Sequence, residues 1–186
     1  MKGDEVSRQE IKQENRHAHG CLLHELLVNV APYRHGESQK NLLITAITAD
    51  SRTVESGSLF VALKGEKTDG HRYISQAIQR GAAAIIVDES SSHLDKYQST
   101  RLPIIGVQDT SETLGIVAAK FYENPAERLM MVGITGTNGK TTVSYLMEHV
   151  LLEAGFQTGV IGTVNYRYRA ADGSMVELPA PFTTPD

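Results

Sequence analysis

Between residues 42 and 121, short apolar runs alternate with segments whose apolar residues recur at helical spacing. The runs predict strands at 42–49, 59–63, 83–87 and 103–107. The spacing predicts helices at 21–27, at 74–78 with an end near Gly81, and at 114–121, where Asp109 and Glu112 are placed to cap the start. Because strand–helix alternation is typical of α/β domains, we predict an α/β fold for this part of the chain.

The alternation stops at residues 123–127 and then begins again. Pro125 disfavours helix at Asn124, and we place a domain boundary between these two residues. After the boundary, the pattern predicts strands at 129–134 and 158–161, and a hairpin over 166–178 around Asp172-Gly173. Apolar positions at helical spacing predict an amphipathic helix between the two strands: Val143, Leu146, Met147, Val150, Leu151 and Ala154.

This boundary predicts two domains, residues 21–124 and residues 125–186. Too few strands follow residue 128 to complete a doubly wound sheet, so we expect the second domain to be incomplete. Residues 1–20 are polar and charged, which predicts a disordered extension. His17 and His19 within it have no companion ligands, and this favours a solvated tail over a metal site.

Composition narrows the possible functions. The 186 residues include 18 Lys and Arg against 22 Asp and Glu, a net charge of -4 that argues against nucleic acid as a partner. There is no apolar run of the roughly 18–20 residues that a membrane span needs, and no signal-peptide pattern at the start. The single cysteine, Cys21, fits a reducing compartment. We therefore expect a cytoplasmic protein without membrane insertion.

The strongest chemical signal is Gly136-Thr137-Asn138-Gly139-Lys140-Thr141-Thr142, between a predicted strand and a predicted helix. Glycines let backbone N–H groups turn toward an anion, and the helix N-terminus adds partial positive charge. Lys140 would reach the β- and γ-phosphates of ATP, and the Thr141 hydroxyl is placed to bind Mg²⁺. The usual loop has glycine where this sequence has Ile134. We therefore predict a variant phosphate-binding loop; a glycine-rich turn with a surface lysine is the alternative.

Four further segments accompany this loop: Asp50-Ser51-Arg52-Thr53-Val54, residues 57–65, Asp69-Gly70-His71 and Thr183-Thr184-Pro185-Asp186. With them, over about residues 22–186, the chain resembles the Mur ligases, which are ATP-dependent amide-bond ligases of peptidoglycan synthesis. Ile161-Gly162-Thr163 and the segment from Thr183 are most similar to the family member that adds the third peptide residue.

The resemblance implies an N-terminal UDP-binding α/β domain followed by the start of a P-loop, Rossmann-like ATP-binding domain that is truncated at residue 186. It implies that the loop from Gly136 to Thr142 binds ATP, that Lys140 is catalytic and that Thr141 binds Mg²⁺. Ser51, Thr183 and Thr184 would contact the substrate, a UDP-N-acetylmuramoyl dipeptide.

The implied reaction transfers the γ-phosphate of ATP to the dipeptide carboxylate, which gives an acyl phosphate and ADP. The amine of a diamino acid then attacks the acyl carbon, an amide forms and phosphate leaves. The diamino acid would be meso-diaminopimelate or lysine, and we expect the protein to be a monomer. The family's downstream metal ligand, carbamylated lysine and amino-acid-binding domain would all follow residue 186. We therefore expect these residues alone not to ligate and to bind ATP poorly, although weak binding of the UDP substrate would remain.

Several of these residues have a structural alternative. Ser51 could cap a turn, and Asp50 and Arg52 beside it could be an exposed ion pair. Thr183-Thr184 could be an ordinary loop before Pro185. His71 beside Asp69 is predicted to serve a helix start or turn rather than acid–base chemistry.

Other readings stay open for the hairpin and for the whole chain. Residues 166–169, Tyr-Arg-Tyr-Arg, fit a stacking and phosphate patch or the two sides of a hairpin equally well. The chain could also be a non-catalytic binding module for a UDP-sugar peptide, or a degenerate homologue. A different P-loop enzyme, such as a kinase or GTPase, is the third possibility, and the Asp-Ser-Arg and Asp-Gly-His segments argue against it.

Overall fold

The computed structural model of the chain describes residues 20–30, 41–65, 68–91, 102–170 and 172–180. The chain separates into two compact units, Met1–Leu129 and Met130–Asp186. The boundary predicted between residues 124 and 125 lies shortly before this division, and the 3₁₀ turn Pro125–Arg128 stays with the first unit. The extension predicted for residues 1–20 lies outside the described residues, apart from Gly20.

The first unit contains a short antiparallel pair and a parallel sheet. The pair consists of β1 (Cys21–Leu22) and β2 (Leu43–Ile44). Four parallel strands lie side by side in chain order: β3 (Ala46–Thr48), β4 (Ser58–Val61), β5 (Ala84–Asp88) and β6 (Ile104–Val107). Because the strands are parallel, their carboxyl ends meet at one edge of the sheet, where α/β folds bind their ligands.

Helices cover both faces of this sheet. Three helices take part: α1 (Leu23–Leu26), α2 (Ile74–Gln79) and α3 (Thr110–Phe121). Leu59 and Val61 of β4 pack in one apolar cluster with α1 and α3, whereas Phe60 packs with α2 on the other face. All positions of β4 are buried, as expected for a parallel strand covered on both faces. The α/β prediction for this unit is confirmed.

The predicted start of α3 is also present. Asp109 Oδ1 accepts hydrogen bonds from the backbone N–H groups of Ser111 and Glu112, at 2.8 and 2.9 Å. This carboxylate therefore satisfies two of the N–H groups that a helix N-terminus leaves without partners.

Two predictions in the first unit need correction. The helix predicted at 21–27 begins only at Leu23, because the two residues before it pair as β1. The strand predicted at 42–49 is two strands, because the chain changes partners at Thr45: β2 pairs with β1, and β3 pairs with β4. At the change, the N–H of Thr45 donates to the carbonyl of Gly57 at 3.0 Å.

The second unit contains one long helix and a three-stranded antiparallel sheet among its described residues. Its elements are α4 (Lys140–Glu153), β7 (Gly159–Ile161), β8 (Asn165–Arg169) and β9 (Met175–Pro179). The predicted helix, strand and hairpin are confirmed, with Asp172 Oδ1 accepting the N–H of Ser174 in the hairpin turn. All pairing described here is antiparallel, so the Rossmann-like arrangement stays a prediction.

The strand predicted at 129–134 is wrong for this structure, in which none of these residues is in a strand. Leu129, Met130, Met131 and Val132 are each more than half exposed. A strand depends on hydrogen bonds to a neighbour, and no described residue pairs with this segment. An apolar, β-branched pattern therefore predicted a strand for which the described residues provide no partner.

The helix α4 has its predicted apolar face exposed. Leu146 and Val150 are both 62% exposed, whereas Glu148 is the buried residue of the helix. The apolar spacing therefore predicted the helix correctly but not the face that is covered among the described residues. None of the helices described is long and apolar enough to cross a membrane.

Candidate functional site

The predicted phosphate-binding loop leads from Gly136 into the first turn of α4. Gly139 immediately precedes the helix, and its φ of 79° lies in the left-handed region that favours glycine. No side chain caps this helix start. The N–H groups of Lys140, Thr141 and Thr142 are therefore available to an anion, because the first N–H groups of a helix have no partner within it.

Lys140 supplies the full positive charge of the loop. Its Nζ donates to the Gly136 carbonyl at 2.6 Å, so the side chain folds back over the loop. Phosphate oxygens are charged acceptors and bind an ammonium group more strongly than a neutral carbonyl does. We therefore expect a bound phosphate to compete with Gly136 for this side chain.

The residues of the loop fit Mg²⁺ held together with a nucleotide. Thr141 offers one hydroxyl oxygen, and Mg²⁺ sites commonly combine few protein oxygens with phosphate oxygens and water. Among the described residues, no group of three or more His, Cys, Asp or Glu side chains is placed to hold a metal. Any Mg²⁺ at Thr141 would therefore depend on bound phosphate for most of its ligands.

A buried polar cluster joins α4 to the antiparallel sheet. Arg167 Nε donates to Glu148 Oε2 at 2.6 Å, and both side chains are 7% exposed. Arg167 Nη1 also donates to Asn165 Oδ1 at 2.8 Å, and its guanidinium carbon lies 3.6 Å from the centre of the Tyr145 ring. Asn165 Nδ2 donates to the Tyr145 hydroxyl and to the Glu177 carboxylate. These contacts hold α4, the helix that follows the predicted phosphate-binding loop, against the sheet.

The cluster also decides between the two readings of residues 166–169. Arg167 is buried against α4, whereas Tyr168 is 41% exposed and, one position along β8, points to the other face. The two side chains therefore do not form a common patch, and the hairpin reading is confirmed for them.

Ser51 lies at the carboxyl edge of the parallel sheet, after β3. It is 6% exposed, and its hydroxyl donates to Gln76 Oε1 of α2 at 2.7 Å. The turn is capped instead by Asp50, whose Oδ1 accepts the N–H of Arg52 at 2.9 Å. Contact between Ser51 and a nucleotide stays a prediction.

The exposed ion pair predicted beside Ser51 is present. Arg52 Nη2 lies 2.7 Å from Asp50 Oδ2. Hydrogen bonds from the Arg52 side chain lower the pKa of the Asp50 carboxyl below its ordinary value. At neutral pH this edge of the sheet therefore carries a charged pair close to the predicted substrate residue.

His71 lies at the same edge, in the 3₁₀ turn Gly70–Tyr73 before α2. It is 3% exposed, its Nδ1 lies 2.6 Å from Asp69 Oδ1, and its Nε2 accepts the N–H of Asp88 at 3.0 Å. Because Nε2 is an acceptor, the proton of the neutral ring is on Nδ1 and is donated to Asp69. The turn role predicted for His71 is confirmed.

The predicted site residues are thus found in two places. The loop from Gly136 to Thr142 lies in the second unit, and Ser51 lies at the sheet edge of the first. Thr183 and Thr184 lie outside the described residues. Sequence reasoning missed Asp88, although a polar residue that ends a buried parallel strand is a signal for this edge.

Comparison with known proteins places these features in one family. Residues 43–122 match the catalytic domain of the Mur ligase family, and residues 134–186 match the Mur ligase middle domain. The chain belongs to the Mur ligase family.

Similar curated proteins carry the name UDP-N-acetylmuramoyl-L-alanyl-D-glutamate--2,6-diaminopimelate ligase. The one from Aquifex aeolicus is 45% identical over 143 residues, which are 77% of this chain and 27% of that protein. The one from Listeria monocytogenes is 41% identical over 160 residues, which are 86% of this chain and 30% of that protein. The chain therefore spans under a third of the length of these relatives.

Solved structures agree on the fold. A crystal structure of MurF from Acinetobacter baumannii matches with a TM-score of 0.56 and 28% identity, over 72% of this chain and 28% of that one. A structure titled as a 2,6-diaminopimelate ligase matches with a TM-score of 0.62 and 23% identity, over 90% of this chain and 31% of that one. The second likeness supports the fold alone.

Proposed function

We propose that the chain is the amino-terminal portion of an ATP-dependent ligase that adds a diamino acid to UDP-N-acetylmuramoyl-L-Ala-D-Glu. The observation that carries the proposal is the exposed loop from Gly136 to Thr142 at the start of α4, in the segment that matches the Mur ligase middle domain. The names of the similar proteins favour meso-diaminopimelate over lysine as the added amino acid.

The two domains divide the work. Residues 21–124 would bind the UDP end of the substrate at the carboxyl edge of the parallel sheet, where Ser51 lies. Residues 125–186 would bind ATP, and Thr183 and Thr184 would contact the muramoyl-peptide portion. The protein would act in the cytoplasm as a monomer, without nucleic acid as a partner.

The chemistry explains why ATP is needed. A carboxylate is a poor acyl donor because oxide would have to leave, and phosphorylation supplies a better leaving group. The γ-phosphate and the substrate carboxylate are both anions, so positive charge is required where they meet. Lys140 and the N–H groups at the start of α4 supply it from this chain. Mg²⁺ bound at Thr141 would offset further charge on the phosphate oxygens.

Calorimetric titration of the 186-residue chain tests the substrate assignment. We expect UDP-N-acetylmuramoyl-L-Ala-D-Glu to bind, UDP to compete with it, and the corresponding cytidine diphosphate to compete less well. Competition by the two nucleotides to the same extent, or no binding of the muramoyl dipeptide, would contradict the assignment.

A non-catalytic binding module remains the second candidate. The first unit supports it, because its sheet is covered on both faces by its own helices and could bind a ligand without the second unit. The two candidates differ in one assay of the complete gene product: ADP release that requires the diamino acid is expected of the ligase only.

A further inference from the structure

The imidazole of His71 connects two segments at the carboxyl edge of the parallel sheet. One is the connection from β4 to α2, which contains Asp69 and Gly70; the other is the end of β5 at Asp88. The ring is 3% exposed and uses a different nitrogen for each segment. Acid–base chemistry does not explain this arrangement, since both nitrogens are already engaged within the fold.

In the first segment, the two ends of the β4–α2 connection lie close together. The N–H of Gly70 donates to the Leu63 carbonyl at 2.7 Å, and a Cβ at Gly70 would lie 2.6 Å from that same oxygen. Asp69 Oδ1 accepts both the backbone N–H of His71, at 3.0 Å, and its ring Nδ1. The position of His71 therefore determines where Asp69 lies after the chain leaves β4.

The second segment is fixed by the other ring nitrogen. Nε2 of His71 accepts the backbone N–H of Asp88, the last residue of β5. The Asp88 carboxylate is occupied separately, because its Oδ1 accepts from the N–H and the hydroxyl of Ser90. One ring thus links the β4–α2 connection to the end of the adjacent parallel strand, β5.

We propose that His71 is a positioning residue for the uridine-diphosphate end of the substrate: it holds the β4–α2 connection and the end of β5 at the spacing that this ligand requires. The proposal rests on the proposed function, because ligands of open α/β sheets bind across the carboxyl ends of strands. The imidazole donates on one side and accepts on the other, and the backbone N–H of residue 71 also donates to Asp69 Oδ1. Lys and Arg side chains cannot accept, and an ionised carboxylate cannot donate.

Two variants separate the two bonds. His71→Asn keeps a short side chain that can donate to Asp69 but does not reach Asp88. His71→Gln extends an amide oxygen that can accept the N–H of Asp88. Val117→Ala is the stability control, because Val117 belongs to α3 and is fully buried in the apolar cluster that this helix forms with the sheet.

The experiment uses the 186-residue chain and UDP-N-acetylmuramoyl-L-Ala-D-Glu as the probe. The dissociation constant is measured by calorimetry, and the melting temperature is measured in parallel. NMR gives the hydrogen exchange rate of the Asp88 amide and the ring ¹⁵N signals of His71. We expect His71→Asn to weaken binding by about tenfold and to speed Asp88 exchange, because a partly buried N–H loses its acceptor. His71→Gln should stay within about threefold of the unsubstituted protein, and Val117→Ala should lower only the melting temperature.

Several results would overturn the positioning role. One is wild-type affinity in His71→Asn despite faster Asp88 exchange, and another is an equal loss of affinity in Val117→Ala. If His71→Asn does not fold, His71→Gln decides alone: retained Asp88 protection with lost binding contradicts the role. If the unsubstituted protein shows the Nδ1–H tautomer and a protected Asp88 amide but binds no probe, the proposed function fails, and the positioning role fails with it.

Discussion

The buried pair Glu148–Arg167 predicts an energetic coupling between α4 and the antiparallel sheet. Replacing Arg167 with Met leaves the Glu148 carboxylate buried and without its cation, and the other oxygen, Oε1, already has no hydrogen-bond partner among the described residues. Removing one partner of a buried ion pair costs about 3–5 kcal/mol. Glu148→Leu likewise leaves Arg167 buried without its anion, although Asn165 and the Tyr145 ring still contact the guanidinium.

The double variant Glu148→Leu/Arg167→Met removes both charges and leaves apolar side chains of similar size. Replacing a buried pair by apolar groups is often close to neutral, so we expect the double variant to cost less than the sum of the single variants by about 2 kcal/mol or more. The two units need not unfold together, so the free energy is measured by hydrogen exchange of the α4 and β8 amides. If the losses of unfolding free energy in the two single variants add up to the loss in the double variant, or if either single loss is below about 1 kcal/mol, the predicted coupling of the buried pair is refuted.

Three further predictions concern other parts of the chain. Lys140→Ala should weaken ATP binding by about tenfold in an NMR titration, because a charged hydrogen-bond donor is lost. The control Arg169→Ala removes an equal charge from the end of the hairpin and should leave ATP binding unchanged. Equal effects of the two variants would contradict the role of Lys140. Phe60→Ala should lower the unfolding free energy of the first unit by about 3–5 kcal/mol in urea, because Phe60 is fully buried, while the exposed Arg72→Ala should change it by less than about 0.5 kcal/mol. Arg52→Gln should raise the pKa of Asp50 toward the ordinary value of the unfolded chain, as read from its carboxyl NMR titration. Ionised Asp50 stabilises the folded protein at pH values above the pKa of the unfolded chain, and this stabilisation is lost as the pH falls through the lower pKa of the folded state. The loss of stability at acid pH should therefore be smaller in Arg52→Gln. An unchanged pKa of Asp50 in this variant would contradict the ion pair.

Local patterns predicted the elements whose stabilising partners lie nearby in the chain. The apolar runs at β4, β5 and β6 predicted these three strands, because strands buried on both faces are nearly continuous in apolar residues. Asp109 identified the start of α3, since a cap is a contact between neighbours. The loop from Gly136 to Thr142 and the helix after it were predicted together because they are consecutive in the chain; the helix is confirmed, and phosphate binding stays a prediction.

Features that depend on distant partners could not be predicted in this way. Residues 129–134 have the composition of a strand, but a strand requires a neighbour and the described residues contain none for it. The pairing of Glu148 with Arg167 joins a helix to a strand 19 residues away, and neither residue differs from an ordinary surface charge in the sequence. The Ser51–Gln76 bond was missed for the same reason, because 25 residues separate its partners.

The central claim is that the carboxyl edge of the parallel sheet binds the uridine-diphosphate end of a muramoyl peptide. The most direct measurement is an NMR titration of the 186-residue chain with UDP-N-acetylmuramoyl-L-Ala-D-Glu, followed residue by residue. We predict saturable shifts of backbone amides at Ser51 after β3, at Asp69 to His71 in the β4–α2 connection, and at Asp88 at the end of β5. Binding without shifts at these strand ends, or no saturable shifts at all, would contradict the account.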